Sequence, residues 1–175
     1  MYKDDFLNKK LDERIANNSL RKLIQRRGFV DFCSNDYLGI RTNRLLESLI
    51  PQSLHHGSGG ARTLAGNYPL IEETENMLAA FHDAEAALIF NSGYNANTGL
   101  LSCVPQRGDT ILYDALSHAS IRDGIKLSFA DSFSFLHNDC NDLEEKLSKT
   151  KGTVFVVTEA LFSMDGDFAP LKEMT

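Results

Sequence analysis

The sequence predicts an α/β fold, a mostly parallel sheet with helices on both faces, and three observations carry that prediction. From Pro69 onward, short apolar runs rich in β-branched residues alternate with longer segments whose apolar residues recur three and four apart. Strands that alternate with helices are joined by crossovers, which makes neighbouring strands parallel. Apolar residues make up 42% of the 175 and charged residues 24%, enough to close a core and without the bias of a disordered chain.

Residues 4–18 read as an amphipathic helix, because Leu7, Leu11 and Ile15 stand four apart with charges between them. The basic stretch Leu20–Arg27 follows and stops at Gly28. Phe29–Cys33 alternates like a strand before the turn residues Ser34-Asn35-Asp36-Tyr37-Leu38-Gly39, and a short helix is expected over 43–53. The glycine cluster from Gly57 to Gly60 reads as a flexible connection. Pro69 then opens a helix to about His82, with Pro in its favoured first turn. Buried strands are expected at Ala86–Phe90, Thr110–Tyr113, Ser132–Leu136 and Thr153–Thr158. The helices between them span 93–103, 117–128 and 139–149, and Pro170 begins one more turn. The order divides the chain into an N-terminal helix and arm, 1–40, and the beginning of a larger α/β domain, 41–175.

Charge and composition exclude several classes of function. Net charge is -6, and the positive charge sits early: 11 Lys and Arg against 7 Asp and Glu in residues 1–62, then 7 against 17 in the rest. An acidic bulk is a poor surface for a phosphate backbone, so no nucleic-acid partner is expected. No apolar run approaches the roughly 18 residues of a membrane span. The N-terminus has no signal-peptide core, so a cytoplasmic protein with no membrane partner is expected. Cys33, Cys103 and Cys140 are odd in number and widely spaced, without the pairing of a zinc site or disulfide framework.

Parallel sheets place ligands at the carboxyl ends of their strands, where helix N-termini present unpaired N–H groups. Ser92-Gly93-Tyr94 occupies such a junction, and glycine there lets the backbone approach a phosphate. His118, in Ser117-His118-Ala119-Ser120, opens the helix after the next strand, where an imidazole can stack on a planar ring or move a proton. Glu159 and Ser163 follow the strand Thr153–Thr158 onto the same rim. Three successive strand ends bearing polar groups mark a site. His56-Gly57-Ser58-Gly59-Gly60-Ala61-Arg62 is not a dinucleotide fingerprint, because Arg62 stands at the third glycine position and no clear strand precedes it.

Taken in order, Ser34–Gly39, His56–Arg62, Asn91-Ser92-Gly93-Tyr94, Leu116–Ser120 and Thr158–Asp167 resemble the α-oxoamine synthases, pyridoxal-phosphate enzymes of the fold-type I aspartate aminotransferase superfamily. The resemblance runs from about Leu11 to Thr175. It implies the large pyridoxal-phosphate-binding domain of the aspartate aminotransferase-like fold, with that cofactor's phosphate at Ser92, Gly93 and Tyr94. His118 would stack over the pyridine ring as the catalytic residue, Ser163 would hydrogen-bond the cofactor and Glu159 would support it. Asn35 would lie near the substrate carboxylate and Arg21 would meet the acyl substrate.

The activity implied is a decarboxylative condensation of a small amino acid, L-alanine, with an acyl thioester such as pimeloyl-CoA or its acyl-carrier-protein equivalent. The implied assembly is a homodimer with the active site at the interface. No lysine present stands in the family's cofactor-anchoring motif, so the chain is expected to be the N-terminal portion of a longer enzyme and inactive alone. A non-catalytic subunit of the same fold and an unrelated nucleotide-binding α/β domain remain alternatives.

Overall fold

The computed structural model describes residues 5–23, 28, 30–50 and 57–175, and the chain divides into two units, 1–57 and 58–175. The first unit opens with helix α1 (Asp5–Ala16), which ends two residues short of the expected 4–18, with Asp5 in its first turn and Arg14 in its last, complementing the helix dipole. The expected strand over 29–33 does not form at Val30–Cys33, and Phe29 lies outside the described residues. Asp31 is the reason: its Oδ1 accepts the backbone N–H groups of Cys33 and Ser34 at 2.9 and 3.0 Å, which turns the chain. The expected helix over 43–53 shrinks to a 3₁₀ turn at Glu47–Leu49, because Arg44 sits at φ 53, outside helical space. Residues 51–53, Ile24 to Arg27 of the basic stretch and His56 lie outside the described residues.

The second unit begins with a loop that is ordered, contrary to the flexible connection expected. Ser58 donates its hydroxyl to the carbonyls of Gly60 and Gly66 at 2.7 and 2.9 Å. A single π-type turn (Arg62–Gly66) follows, and a Cβ at Gly66 would collide with the Gly60 carbonyl oxygen. Arg62 forks onto Glu75 of helix α2 (Pro69–Phe81) at 2.5 and 2.9 Å. The guanidinium holds the Glu75 carboxyl below its ordinary range, with the Ile89 N–H adding to the effect.

Ala86–Phe90 is not a strand in a ladder. Ala87 and Ile89 are half-buried and Leu88 and Phe90 exposed, so the period of two is present. Among the described residues no strand lies beside it, and the Ile89 N–H donates to Glu75 Oε1 at 2.8 Å instead. Helix α3 (Gly93–Cys103) follows with the span expected.

Strand β1 (Thr110–Asp114) is the middle strand of a parallel sheet, flanked by β2 (Asp131–Phe135) on one side and β3 (Val154–Val157) on the other. Helix α4 (Ala119–Leu127) crosses from β1 to β2, and α5 (Cys140–Lys149) from β2 to β3. The alternation along β1 sorts its side chains to two faces. Ile111 packs with Leu101, Ile121 and Ile125 beneath α3 and α4, while Leu112 packs with Phe135 and Leu143 on the α5 side. A two-stranded hairpin, β4 (Leu161–Phe162) with β5 (Asp167–Phe168), and a last turn, α6 (Leu171–Met174), complete the unit. The sequence reading did not anticipate the hairpin.

Helices α3 and α4 meet at a glycine. A Cβ at Gly124 would stand 3.0 Å from the Asn97 carbonyl oxygen, the Leu101 Cβ and the Thr98 Cα. The backbone of α4 therefore lies directly on α3, and nothing flexible can move aside for a larger residue. Gly124→Val is expected to cost about 2–3 kcal/mol through overpacking. A urea titration should show a lower midpoint with an unchanged slope. An unmoved midpoint would show that the two helices are not in this contact.

Candidate functional site

The carboxyl ends of β1, β2 and β3 point the same way, and the turns that leave them gather polar groups. Among the described residues, the buried side-chain oxygens that lack any partner are Ser117 Oγ, Asn138 Oδ1, Thr158 Oγ1 and Asp167 Oδ1. Ser117 follows β1, Asn138 follows β2, Thr158 follows β3 and Asp167 lies in the hairpin, so all four stand at or beyond the same end of the sheet. Buried polar atoms are ordinarily satisfied, and a cluster of orphans at one rim is what a ligand-binding surface presents.

Helix α3 begins at this rim. Ser92 caps it, its hydroxyl accepting the Asn95 N–H at 3.1 Å, while the Ser92 carbonyl accepts from Ala96. Gly93 and Tyr94 occupy the first turn, where an amide has no preceding helical carbonyl to reach. Gly93 and Tyr94 are both exposed, and no atom beyond their own chain neighbourhood lies within 4 Å of where a Gly93 Cβ would stand. Amide donors and the positive end of the helix dipole make this an anion site.

His118 is the N-cap of α4, and its exposed imidazole is held by a relay. Asn97 on α3 donates to the Ser120 hydroxyl at 3.0 Å, the hydroxyl reaches His118 Nδ1 at 2.8 Å, and the Ser120 N–H donates to the same nitrogen at 3.2 Å. Nδ1 is thereby an acceptor, so the neutral ring carries its proton on Nε2. The His118 backbone N–H donates to Glu159 Oε1 at 2.6 Å, tying the exit of β1 to the exit of β3. The Tyr94 ring stands edge-on to His118 with centroids 6.3 Å apart, and its hydroxyl donates to Asp123 of α4. That bond raises the phenol's pKa and lowers that of the carboxylate, which Lys126 also steadies.

Ser92, Gly93, Tyr94, His118 and Glu159 are thus brought together. Ser163 is the first turn residue after β4, exposed, on the hairpin that follows Glu159 in the chain. Arg21 and Asn35 are exposed in the first unit, Arg21 beyond α1 and Asn35 in the bend after Asp31.

A second constellation at this rim has no local sequence signature as strong as those of His118 and Glu159. Asp114, the last residue of β1, is fully buried and accepts the N–H groups of Leu116 and Asn138 at 2.8 and 2.9 Å. His137, just past β2, places Nδ1 2.9 Å from Asp114 Oδ1 and Nε2 2.9 Å from Asp167 Oδ2. The signal that could have found it is His137-Asn138 at a strand end, on the rim already marked by His118 and Glu159.

The family-model comparison matches residues 27–175 to "Aminotransferase class I and II". The chain belongs to that family. An 8-amino-7-oxononanoate synthase of Lysinibacillus sphaericus is 40% identical over 173 residues, covering 96% of this chain and 44% of that protein. A serine palmitoyltransferase from S. paucimobilis, solved with a bound PLP-myriocin aldimine, superposes with TM-score 0.77 at 28% identity over 98% of this chain and 48% of its own. An 8-amino-7-oxononanoate synthase structure from Francisella tularensis gives TM-score 0.64 at 27% identity, covering 85% of this chain and 42% of that one. The chain spans about half the length of such relatives or less. Pyridoxal phosphate is the cofactor to which the family and the PLP-bound neighbour point. The residues present fit it: open amide donors at a helix N-terminus suit a phosphate, and a ring fixed at one edge suits a planar heterocycle.

Two carboxylates on one imidazole have a thermodynamic consequence. The hydrogen bond to Asp114 raises the pKa of His137 above its ordinary 6.5, burial opposes the rise, and the bond to Asp167 adds to it. A raised folded value means that the bridge stabilises fully below about pH 6.5 and is lost as pH climbs through the folded pKa. The melting temperature should therefore fall as pH rises above about 6.5, and His137→Gln should flatten that decline. A His137→Gln variant that tracks the wild-type slope across the range would remove His137 as its source.

Proposed function

We propose that this chain forms the cofactor-cradling part of a pyridoxal-phosphate enzyme that condenses a small amino acid with an acyl thioester and releases CO2. The chemistry best supported is that of 8-amino-7-oxononanoate synthase in biotin synthesis, with L-alanine and pimeloyl-CoA or its carrier-protein equivalent as substrates and a homodimer as the working form. One observation carries the reading: open amide donors at the start of α3 and the fixed ring of His118 share one strand-end rim. The synthase names of the relatives, and the likeness to a serine palmitoyltransferase, support the acyl-transfer class.

When bound, pyridoxal phosphate supplies an electron sink for a carbanion at the amino acid's Cα. Gly93 and Tyr94 hold its phosphate through their N–H groups, and Ser92 keeps the helix terminus open by capping it through Asn95. His118 covers one ring face and carries its mobile proton on Nε2. Glu159 fixes the backbone from which that ring projects, and Ser163 donates a hydrogen bond from the hairpin. By the family resemblance, Asn35 would lie near the amino acid's carboxylate and Arg21 would meet the acyl substrate, its guanidinium suited to a carboxylate.

The test is release of free thiol from pimeloyl-CoA by the full-length protein with pyridoxal phosphate, run side by side with alanine, glycine and serine. Fastest release with alanine is expected. A preference for glycine or serine would favour a 2-amino-3-oxobutyrate CoA ligase or serine palmitoyltransferase activity instead. No thiol from any pairing would overturn the reading and leave a non-catalytic subunit. His118→Asn separates the ring's chemistry from its capping, since Asn is a favoured N-cap. This variant should melt near the wild type while kcat falls by about 100-fold or more. Unchanged turnover would exclude His118 from the chemistry.

A further inference from the structure

The β4–β5 hairpin is too short to orient itself. Its ladder holds only the pairs Leu161↔Phe168 and Phe162↔Asp167, and two-stranded hairpins are marginal even when longer. Something outside it must set the turn that carries Ser163. The neighbours that do so come from the exit of β2. His137 Nε2 lies 2.9 Å from Asp167 Oδ2, and the His137 ring stands edge-on to Phe162 with centroids 4.5 Å apart. Asn138, at φ 54, donates its side-chain amide to Asp167 Oδ2 at 3.1 Å and to the Phe168 carbonyl at 3.3 Å. Phe162 directly precedes Ser163 and is 2% exposed, and its carbonyl accepts the Gly166 N–H at 2.7 Å, closing the turn.

On the other side His137 is anchored to Asp114, which is fully buried at the end of the central strand. The chain of contacts is therefore continuous from the buried end of the central strand to the residue beside Ser163. Both ring nitrogens face carboxylate oxygens, so the imidazole can donate in two directions and join them.

We propose that His137, bridging Asp114 and Asp167, is a positioning residue for the cofactor site, holding the β4–β5 turn so that Ser163 meets the cofactor. The proposal rests on the pyridoxal-phosphate reading above. His137 itself need not touch the cofactor. Its contribution is to place the Ser163 hydroxyl without a search among hairpin orientations.

The experiment is a double-mutant cycle on the full-length protein, with the dissociation constant for pyridoxal phosphate as readout and the visible circular dichroism of the bound cofactor as a second signature. Asp167→Ala is the better first variant, because it releases the hairpin end of the bridge and leaves the buried Asp114–His137 contact in place. It should weaken cofactor binding by about tenfold and alter the dichroic band. Ser163→Ala should weaken it by a similar factor. The Asp167→Ala, Ser163→Ala pair should be no weaker than the poorer single variant, because the bridge acts through Ser163. Asp167→Asn, which keeps an acceptor for His137 Nε2, should restore most of the affinity. Should Asp167→Ala fail to fold, the cycle of His137→Gln with Ser163→Ala, read by cofactor affinity and by dichroism, carries the same comparison. Independent, multiplying losses would overturn the proposal and leave the bridge a structural brace. Wild-type cofactor binding with unaltered Asp167→Ala affinity would overturn it too, with the cofactor reading intact. Failure of the wild type to bind pyridoxal phosphate would overturn both.

Discussion

Asp114 is the point on which the strand-end rim depends. A carboxylate removed from water at the end of a central strand is costly unless its oxygens are occupied. Here the Leu116 and Asn138 amides and the His137 imidazole occupy them. Meeting that requirement fixes the chain leaving β1 and the chain leaving β2 at once, and through His137 it reaches the hairpin. The parallel order β2-β1-β3 makes this possible, since only a parallel sheet brings three consecutive exits to one side. The site is thus a consequence of topology, with one buried carboxylate holding the loops that topology delivers.

The groups at the rim divide by how they are held. The amides of Gly93 and Tyr94 are backbone, set by the capping of α3, and are insensitive to side-chain rotamers. The ring of His118 is set by side chains on two helices, through Asn97 and Ser120, which the close approach at Gly124 brings within reach. Ser163 depends on a hairpin that depends on His137. Backbone donors suit a phosphate, which every substrate of such an enzyme would leave in place. Side-chain groups on adjustable supports suit the part of the site where specificity is set.

What was legible in the sequence follows the range of the interactions. Helices α2, α3 and α5 and strands β1, β2 and β3 fall within a residue or two of expectation, because each carries its own period and each helix its own cap or initiating proline. The placement of Ser92, Gly93, Tyr94, His118 and Glu159 at one rim is legible because each stands at a strand exit or a helix start that local pattern reveals. Ala86–Phe90 reads as a strand but forms no ladder among the described residues, because a strand is a property of a pair and its alternation says nothing of a partner. The loop at 58–66 reads as flexible from its glycines because its order comes from Ser58 reaching Gly66 and Arg62 reaching Glu75, eight and thirteen residues away. The Asp114–His137–Asp167 bridge joins residues 23 and 30 apart, beyond any local pattern. Two-residue strands such as β4 and β5 have no period to detect.

The central claim is that the first turn of α3 is the phosphate cradle and that His118 covers the ring beside it. A crystal structure of the full-length protein grown with pyridoxal phosphate tests this most directly. The phosphate oxygens should lie within hydrogen-bonding distance of the Gly93 and Tyr94 N–H groups, with the His118 imidazole parallel to the pyridine. A cofactor phosphate bound elsewhere, or a His118 ring turned away from the pyridine, would contradict it.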